Sequence, residues 1–150
     1  MSVMMDKKDE SILIELKKNA RKTTKNIGKV VKIPRVTVHD RVQKMVKNGI
    51  IKSFTVIPDY EKIGLPSKVF IFVSFLHSTD VSQRELAKRI AKLPGIFEVH
   101  IISGEYDLLL KVRGESLEEI GKLIIDQLRG LNGVGQTLTC ACFETIKEDI

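Results

Sequence analysis

A chain of 150 residues, 43% of them hydrophobic, can bury a full core either as one domain or as two small ones. Its charge is divided unevenly: residues 1–57 carry 14 Lys and Arg against 5 Asp and Glu, a net of +9, while residues 58–150 carry 11 against 14, a net of −3. That asymmetry suits a nucleic-acid-binding module joined to a non-binding one. No apolar run approaches the roughly 18 residues of a membrane span, and Asp6, Asp9 and Glu10 leave no room for a signal-peptide core, so the expectation is a soluble, cytoplasmic chain with no membrane partner.

Asp6 is placed to cap a first helix, with Asp9 and Glu10 in its first turn and Ile12, Leu13, Leu16 and Ala20 as its apolar stripe; it should end near Asn19. Thr23 opens a shorter second helix carrying Ile27, Val30 and Val31, and residues 32–34 turn the chain. A third helix occupies the stretch 33–51. Its Val38, Val42, Met45 and Val46 stand at i, i+4, i+7 and i+8, Pro34 suits its first turn, and Asn48-Gly49 supplies a left-handed stop before Ile50 and Ile51 re-enter the interior. Arg35, Val36, His39, Asp40 and Gln43 then point outward, with Arg41, Lys44 and Lys47 around them and Thr37 in the first turn. A solvated basic face is the plain alternative. Three helices in succession within the basic part of the chain favour a helix-turn-helix unit whose third helix meets double-stranded DNA.

Residues 50–57, IIKSFTVI, are rich in β-branched side chains and read as a strand, the start of a small wing. Residues 58–66 collect turn formers and two prolines and read as a linker between domains at 1–57 and 67–150. The second domain alternates: a strand over 69–76, a helix over 82–93 with Leu86, Ala87, Ile90 and Leu93 at helical spacing, a strand over 97–103, a tight turn at 104–107, a strand over 108–113. Ser116 caps a helix whose Leu117, Ile120, Gly121, Ile124, Leu128 and Leu131 hold a stripe for four turns; after a break at 130–135, residues 136–146 form the last strand. The order βαββαβ is the ferredoxin-like arrangement, so the chain is α+β: a helix-turn-helix (winged-helix-like) domain followed by a ferredoxin-like domain. The first strand is apolar on both faces, Val69, Ile71, Val73 and Phe75 on one and Phe70, Phe72 and Leu76 on the other. An apolar face that large predicts a homodimer through the second domain, which would set two third helices side by side.

Nothing points to catalysis. No nucleophile stands near a base, there is no phosphate loop, and Glu118-Glu119 lies on a helix face. Cys140 and Cys142 share one face of a strand and are expected as buried free thiols, and His39, His77 and His100 fit no zinc spacing, so neither metal nor cofactor is expected. RNA binding by the sheet would need exposed aromatics on central strands, and LLLKVR has none.

Four segments together resemble the Lrp/AsnC, or feast/famine, transcription regulators: MDKKDESILIELKKNAR at 5–21, VTVHDRVQKMVKNGIIKSFTVIPDYEKIGL at 36–65, SGEYDLLLKV at 103–112 and GVGQTLTCACFETIK at 133–147. The resemblance implies dimers through the βαββαβ domain, often gathered into octamers, with a small-molecule effector, usually an amino acid, held near the glycine-containing turn. On this chain that places an effector site at Ser103, Gly104, Tyr106, Asp107 and Leu108, with Thr137 and Thr139 of the last strand nearby. The chemistry is compatible: amides at a glycine turn can hold a carboxylate, Asp107 can take an ammonium, and threonine hydroxyls orient. The alternative is a tight hairpin in which Asp107 satisfies backbone N–H groups. Two departures from the family pattern stand out: Lys32 and Pro34 where Gly and Ser are common, and Gly28 where Ala is. Pro34 cannot offer a side-chain cap, so the helix N-terminus has backbone N–H groups to spare for phosphate. Arg35 then suits guanine, Gln43 adenine and Val36 a thymine methyl, with Lys and Arg neutralising phosphates.

Overall fold

The computed structural model describes residues 5–77 and 80–148, which gather into two compact units, residues 1–57 and 58–150. In the first unit α1 (Lys7–Lys18), α2 (Thr24–Val31) and α3 (Arg35–Lys47) enclose Ile12, Leu16, Ile27, Val38, Met45 and Ile51. Helix α1 begins in a full capping box: the Asp6 carboxylate accepts from the Asp9 N–H, and the Asp9 carboxylate accepts from the Asp6 N–H. It ends at Asn19, one residue short of Ala20, which is exposed. The buried face of α1 also carries Glu15, whose side chain is only 8% exposed and pairs with Lys18 and Lys22.

The crossing of α2 and α3 is tight because Gly28 lies in it. A Cβ at that position would sit 2.6 Å from the Ile33 carbonyl oxygen. The Lys32 and Ile33 N–H groups both return to the Gly28 carbonyl, and Lys32 takes a left-handed conformation, φ 56°. That conformation ordinarily falls to glycine, because a Cβ then crowds the following carbonyl. Pro34 is the N-cap of α3 and makes no side-chain cap, while Gly49, φ 71°, ends the helix in the left-handed region.

Two expectations for this unit are corrected. Val46 is 41% exposed, so the α3 stripe consists of Val38 and Met45 with Val42 at its margin. Residues 50–57 form no strand, and Phe54, Val56 and Ile57 are 55%, 83% and 63% exposed. The composition favours a strand, but within the described residues no second segment pairs with it, and a lone strand leaves its N–H and C=O groups unpaired.

The second unit is a four-stranded antiparallel sheet in the order β2-β3-β1-β4, built from β1 (Ser67–Phe75), β2 (Ile96–Ile101), β3 (Leu108–Gly114) and β4 (Val134–Ala141). Helices α4 (Gln83–Ile90) and α5 (Leu117–Leu123) are capped by Ser82 and Ser116. Together they cover Val69, Ile71, Val73, Leu108, Leu110 and Val112, which with Leu86, Ile90, Ile120 and Leu128 make the core. This is the α+β, ferredoxin-like arrangement the strand order predicts. Partners directly across the ladder share a face. Phe70 and Phe72 therefore lie with Leu109, Leu138 and Cys140 on the face away from the core, so Cys140 is exposed and Cys142, past the end of the strand, is half-buried, where buried thiols were expected.

Three further boundaries differ from the sequence reading. The last strand ends at Ala141, not at 146, because its partner runs out: the Cys142 N–H donates to the Lys68 carbonyl, β1 begins one residue further on at Ser67, and Pro66 precedes it. The helix after Ser116 is not uniform, since residues Ile124–Leu128 form a π-turn in which the Arg129 N–H reaches the Ile124 carbonyl. The stretch 58–66 groups with the second unit. There the Tyr60 ring lies edge-on to Phe97 and under the Arg113 guanidinium, 3.9 Å from its centroid.

Candidate functional site

Two surfaces carry the chemistry anticipated from sequence. The first is α3. Its buried side is fixed by Val38 and Met45, so Arg35, Val36, His39, Asp40, Gln43, Lys44 and Lys47 are all exposed, and Thr37 is half-buried at the edge. With no side-chain cap at Pro34, the first-turn N–H groups of α3 have no side-chain acceptor there. Val36, at 66% exposure, is an apolar group held in the open on an otherwise polar face.

Arg41 stands apart from this group. Its Nη1 donates to Asp6 Oδ2 and to Asp9 Oδ1, each at 2.8 Å, which ties the middle of α3 to the capping box of α1. The pairing holds the Asp6 carboxyl below its ordinary value, after the larger contribution of the Asp9 backbone N–H, and raises the Arg41 guanidinium through Asp9 first and Asp6 second. A guanidinium engaged by two carboxylates, its side chain 27% exposed, is already spent inside the unit. Spacing along α3 gave no sign of this, because Asp6 and Asp9 lie more than thirty residues away in the chain.

The second surface surrounds the β2–β3 hairpin. Gly135 brings β4 against β1: a Cβ there would meet the Ser74 hydroxyl at 2.5 Å. The ladder between the two strands is irregular at this point, between Val73 and Phe75, and Ser74 Oγ accepts from the Gln136 N–H. The Phe75 N–H donates to Asp107 Oδ2 at 2.7 Å. Asp107 is a joint on its backbone side too: its N–H donates to the Val73 carbonyl, and its carbonyl accepts from the Ile102 N–H and from Gln83 Nε2 on α4. The hairpin alternative is thus realised in part, since Asp107 does satisfy a backbone N–H. A carboxylate has about four acceptor positions, so this bond does not exhaust it.

Beside this joint lies a cavity of about 340 Å³ lined by Tyr106, Arg129, Gly135, Gln136, Thr137 and Leu138. Of the effector residues anticipated from sequence, Tyr106 and Thr137 are in its wall. Ser103 and Gly104 are exposed on the adjoining turn, Gly104 with φ 134°, and Thr139 is exposed two residues further along β4. Leu108 is fully buried in the core, so its side chain anchors the hairpin and does not face the cavity. The Tyr106 ring packs on Phe72 with centroids 5.5 Å apart. Arg129 Nε donates to Thr137 Oγ1 at 3.2 Å. The sequence reading missed Arg129, since it sits at the end of a helical stripe where a basic residue ordinarily complements the dipole. No group of three or more His, Cys, Asp or Glu suited to a metal occurs among the described residues, and no helix among them is long and apolar enough to cross a membrane.

Comparison with known proteins adds independent findings. Residues 68–150 match the Lrp/AsnC ligand binding domain, and residues 5–52 match a winged helix-turn-helix DNA-binding domain. An uncharacterized HTH-type transcriptional regulator of Pyrococcus abyssi is 47% identical over 150 residues, covering 100% of both chains. The HTH-type transcriptional regulator LysM of Saccharolobus solfataricus is 35% identical over 130 residues, 87% of each. Among solved structures, LrpC of B. subtilis superposes with a TM-score of 0.84 at 28% identity, covering 97% of this chain and 99% of that one. A transcriptional regulator of Neisseria meningitidis in complex with L-Met gives a TM-score of 0.91 over 97% of this chain and 94% of that one; at 23% identity it speaks for the fold.

Proposed function

The chain belongs to the Lrp/AsnC family of helix-turn-helix transcription regulators, DNA-binding proteins and not enzymes, and on that premise we propose that it is a regulator whose assembly and DNA affinity respond to an amino acid bound at the hairpin of residues 102–107. The observation that carries the DNA half of this reading is the α3 surface: Arg35, Lys44 and Lys47 exposed around Val36, His39 and Gln43, on a unit of net charge +9. Lysines and arginines neutralise phosphates, and first-turn residues reach base edges in the major groove. A mobility shift on the protein's own upstream region should show log K falling steeply with log salt. Absence of specific retardation on every promoter fragment would remove the DNA reading.

For the effector, the support is chemical. The exposed Gly104 turn is of a kind whose amides can hold a carboxylate, the Asp107 carboxylate keeps acceptor positions for an ammonium beside its bond to the Phe75 N–H, and Tyr106 and Thr137 line the adjoining cavity. The L-Met named with the Neisseria meningitidis structure shows that a protein of this fold takes an amino acid.

We also propose a homodimer through the second unit. Phe70, Phe72, Leu109 and Leu138 share the sheet face opposite the helix-covered core, and Leu138 alone is 45% exposed. A second copy related by a two-fold axis offers the same patch in return. Sedimentation at micromolar concentration should give at least a dimer, with octamers as larger species of the same series; a monomer would contradict it.

A further inference from the structure

We propose that Arg129 makes the cavity beside the hairpin selective for an effector whose side chain carries a carboxylate, such as an acidic amino acid. The inference rests on the reading that this cavity is the effector site, and it assigns the chemical class of the ligand.

Among the cavity's lining residues Arg129 is the charged one; the others are Tyr106, Gly135, Gln136, Thr137 and Leu138. An arginine carries five donors in a planar fork. Here the side chain is exposed and its Nε–H donates to Thr137 Oγ1 at 3.2 Å, which draws the guanidinium toward β4 and leaves its two terminal amino groups for another acceptor. Among the described residues no carboxylate lies within ion-pair distance of it. Arg41, held by Asp6 and Asp9, and Arg89, held by Glu85, have their counter-charges within the fold, whereas Arg129 is exposed without one among the described residues, as are Arg21, Arg35 and Arg84. What sets Arg129 apart from those three is that it lines the cavity and bonds Thr137.

The backbone places Arg129 there by an uncommon device. In the π-turn Ile124–Leu128 the Arg129 N–H bonds the carbonyl five residues back instead of four. A π-turn carries one extra residue, so the residues after it are rotated by roughly a quarter-turn relative to a continuous α-helix. Leu128 still fills the core at 1% exposure, and the next residue is turned to β4 and Thr137. Such turns are rare and concentrate at functional sites.

The division of labour follows from charge. If the Gly104 amides and the Asp107 carboxylate hold the α-carboxylate and α-ammonium, Arg129 is left for the side chain. A planar guanidinium prefers a carboxylate, which it can bind through two parallel hydrogen bonds. A lysine or arginine effector would bring like charge to the same place.

Calorimetric titration of the full-length protein with L-glutamate and L-aspartate, against the near-isosteric L-glutamine and L-asparagine and against L-lysine, tests this. We expect one of the acidic pair to bind roughly tenfold or more tighter than its amide. Arg129→Gln should erase that discrimination, Arg129→Lys should keep part of it, and Arg129→Glu should favour L-lysine, with a thermal melt of each variant to establish folding. If amides or other neutral amino acids bind as tightly as acids, or if Arg129→Gln weakens acid and amide equally, the guanidinium serves the α-carboxylate or nothing, and the proposal falls while the effector reading stands. If none of the twenty amino acids binds the folded protein, both fall.

Discussion

Glu15 shows how much a single side chain can hold that a periodicity argument passes over. Its place on the buried side of α1 looks like an error in the stripe until Lys18 and Lys22 are found closing on it. Their hydrogen bonds, Lys18 first and Lys22 second, hold its carboxyl below the ordinary 4.5. Asp6 is likewise held below 3.8. A group whose native value is depressed contributes stability that is complete above its unfolded value and is lost as the pH falls through the native one. The first unit should therefore weaken as the pH drops below about 4, and Glu15→Gln, which cannot ionise, should be less stable at pH 7 and lose less on acidification. Unfolding free energies for the two proteins that run parallel from neutral pH to pH about 2 would show that Glu15 contributes no such linkage. Lys32 is a second case. The resemblance leads one to expect glycine at this position, and the backbone at φ 56° is one that glycine adopts without steric cost and lysine does not.

At the level of elements, α3 was legible almost to its ends. Two fully buried residues, a proline before the first turn and a glycine after the last one determine which side faces out, and all of these can be read from spacing. Its partners could not be read that way. Arg41 looks equivalent to Lys44 on a helical wheel, yet only Arg41 meets the capping box of α1, a pairing that depends on how three helices pack. The two residues should separate experimentally. Lys44→Ala should reduce the slope of log K against log salt by about one while leaving the melting temperature nearly unchanged. Arg41→Ala should lower the melting temperature and keep the slope, because it removes a brace and not a phosphate contact. An equal loss of slope in both variants would return Arg41 to the DNA face. The strand expected at 50–57 failed for a related reason: β-branched composition states a preference, but a strand exists only where a second edge accepts its hydrogen bonds. In the second unit the four strands were legible because each had such an edge. The π-turn was not, since it shifts the register of a stripe by one residue without interrupting the apolar pattern.

For the whole molecule, charge and motif order foretold the division of labour: a basic unit built to meet DNA and an acidic, sheet-based unit of the kind that binds a ligand. The candidate site beside the hairpin was only half legible. Its turn and its threonines stand out in the sequence, whereas the Asp107–Phe75 bond, the close approach at Gly135 and the cation at Arg129 arise from a strand irregularity and a helix irregularity meeting at one edge of the sheet. A helix of this kind reads only a few base pairs, so the proposed dimer matters for specificity: its second copy would supply the other half-site. Asp107, which joins β1, the hairpin and the start of α4 through four hydrogen bonds, is the point where an amino acid could bias that assembly. The decisive measurement is the affinity of the full-length protein for its own promoter duplex, by fluorescence anisotropy at fixed salt, with and without each of the twenty amino acids, for the parent, Asp107→Asn and Asp107→Ala. The account predicts that at least one amino acid shifts the parent's Kd by roughly fivefold or more. It also predicts that Asp107→Asn, which keeps an acceptor for the Phe75 N–H, stays folded and binds DNA, and that both variants lose the shift. No shift with any amino acid, or an equal shift in both variants, would contradict it.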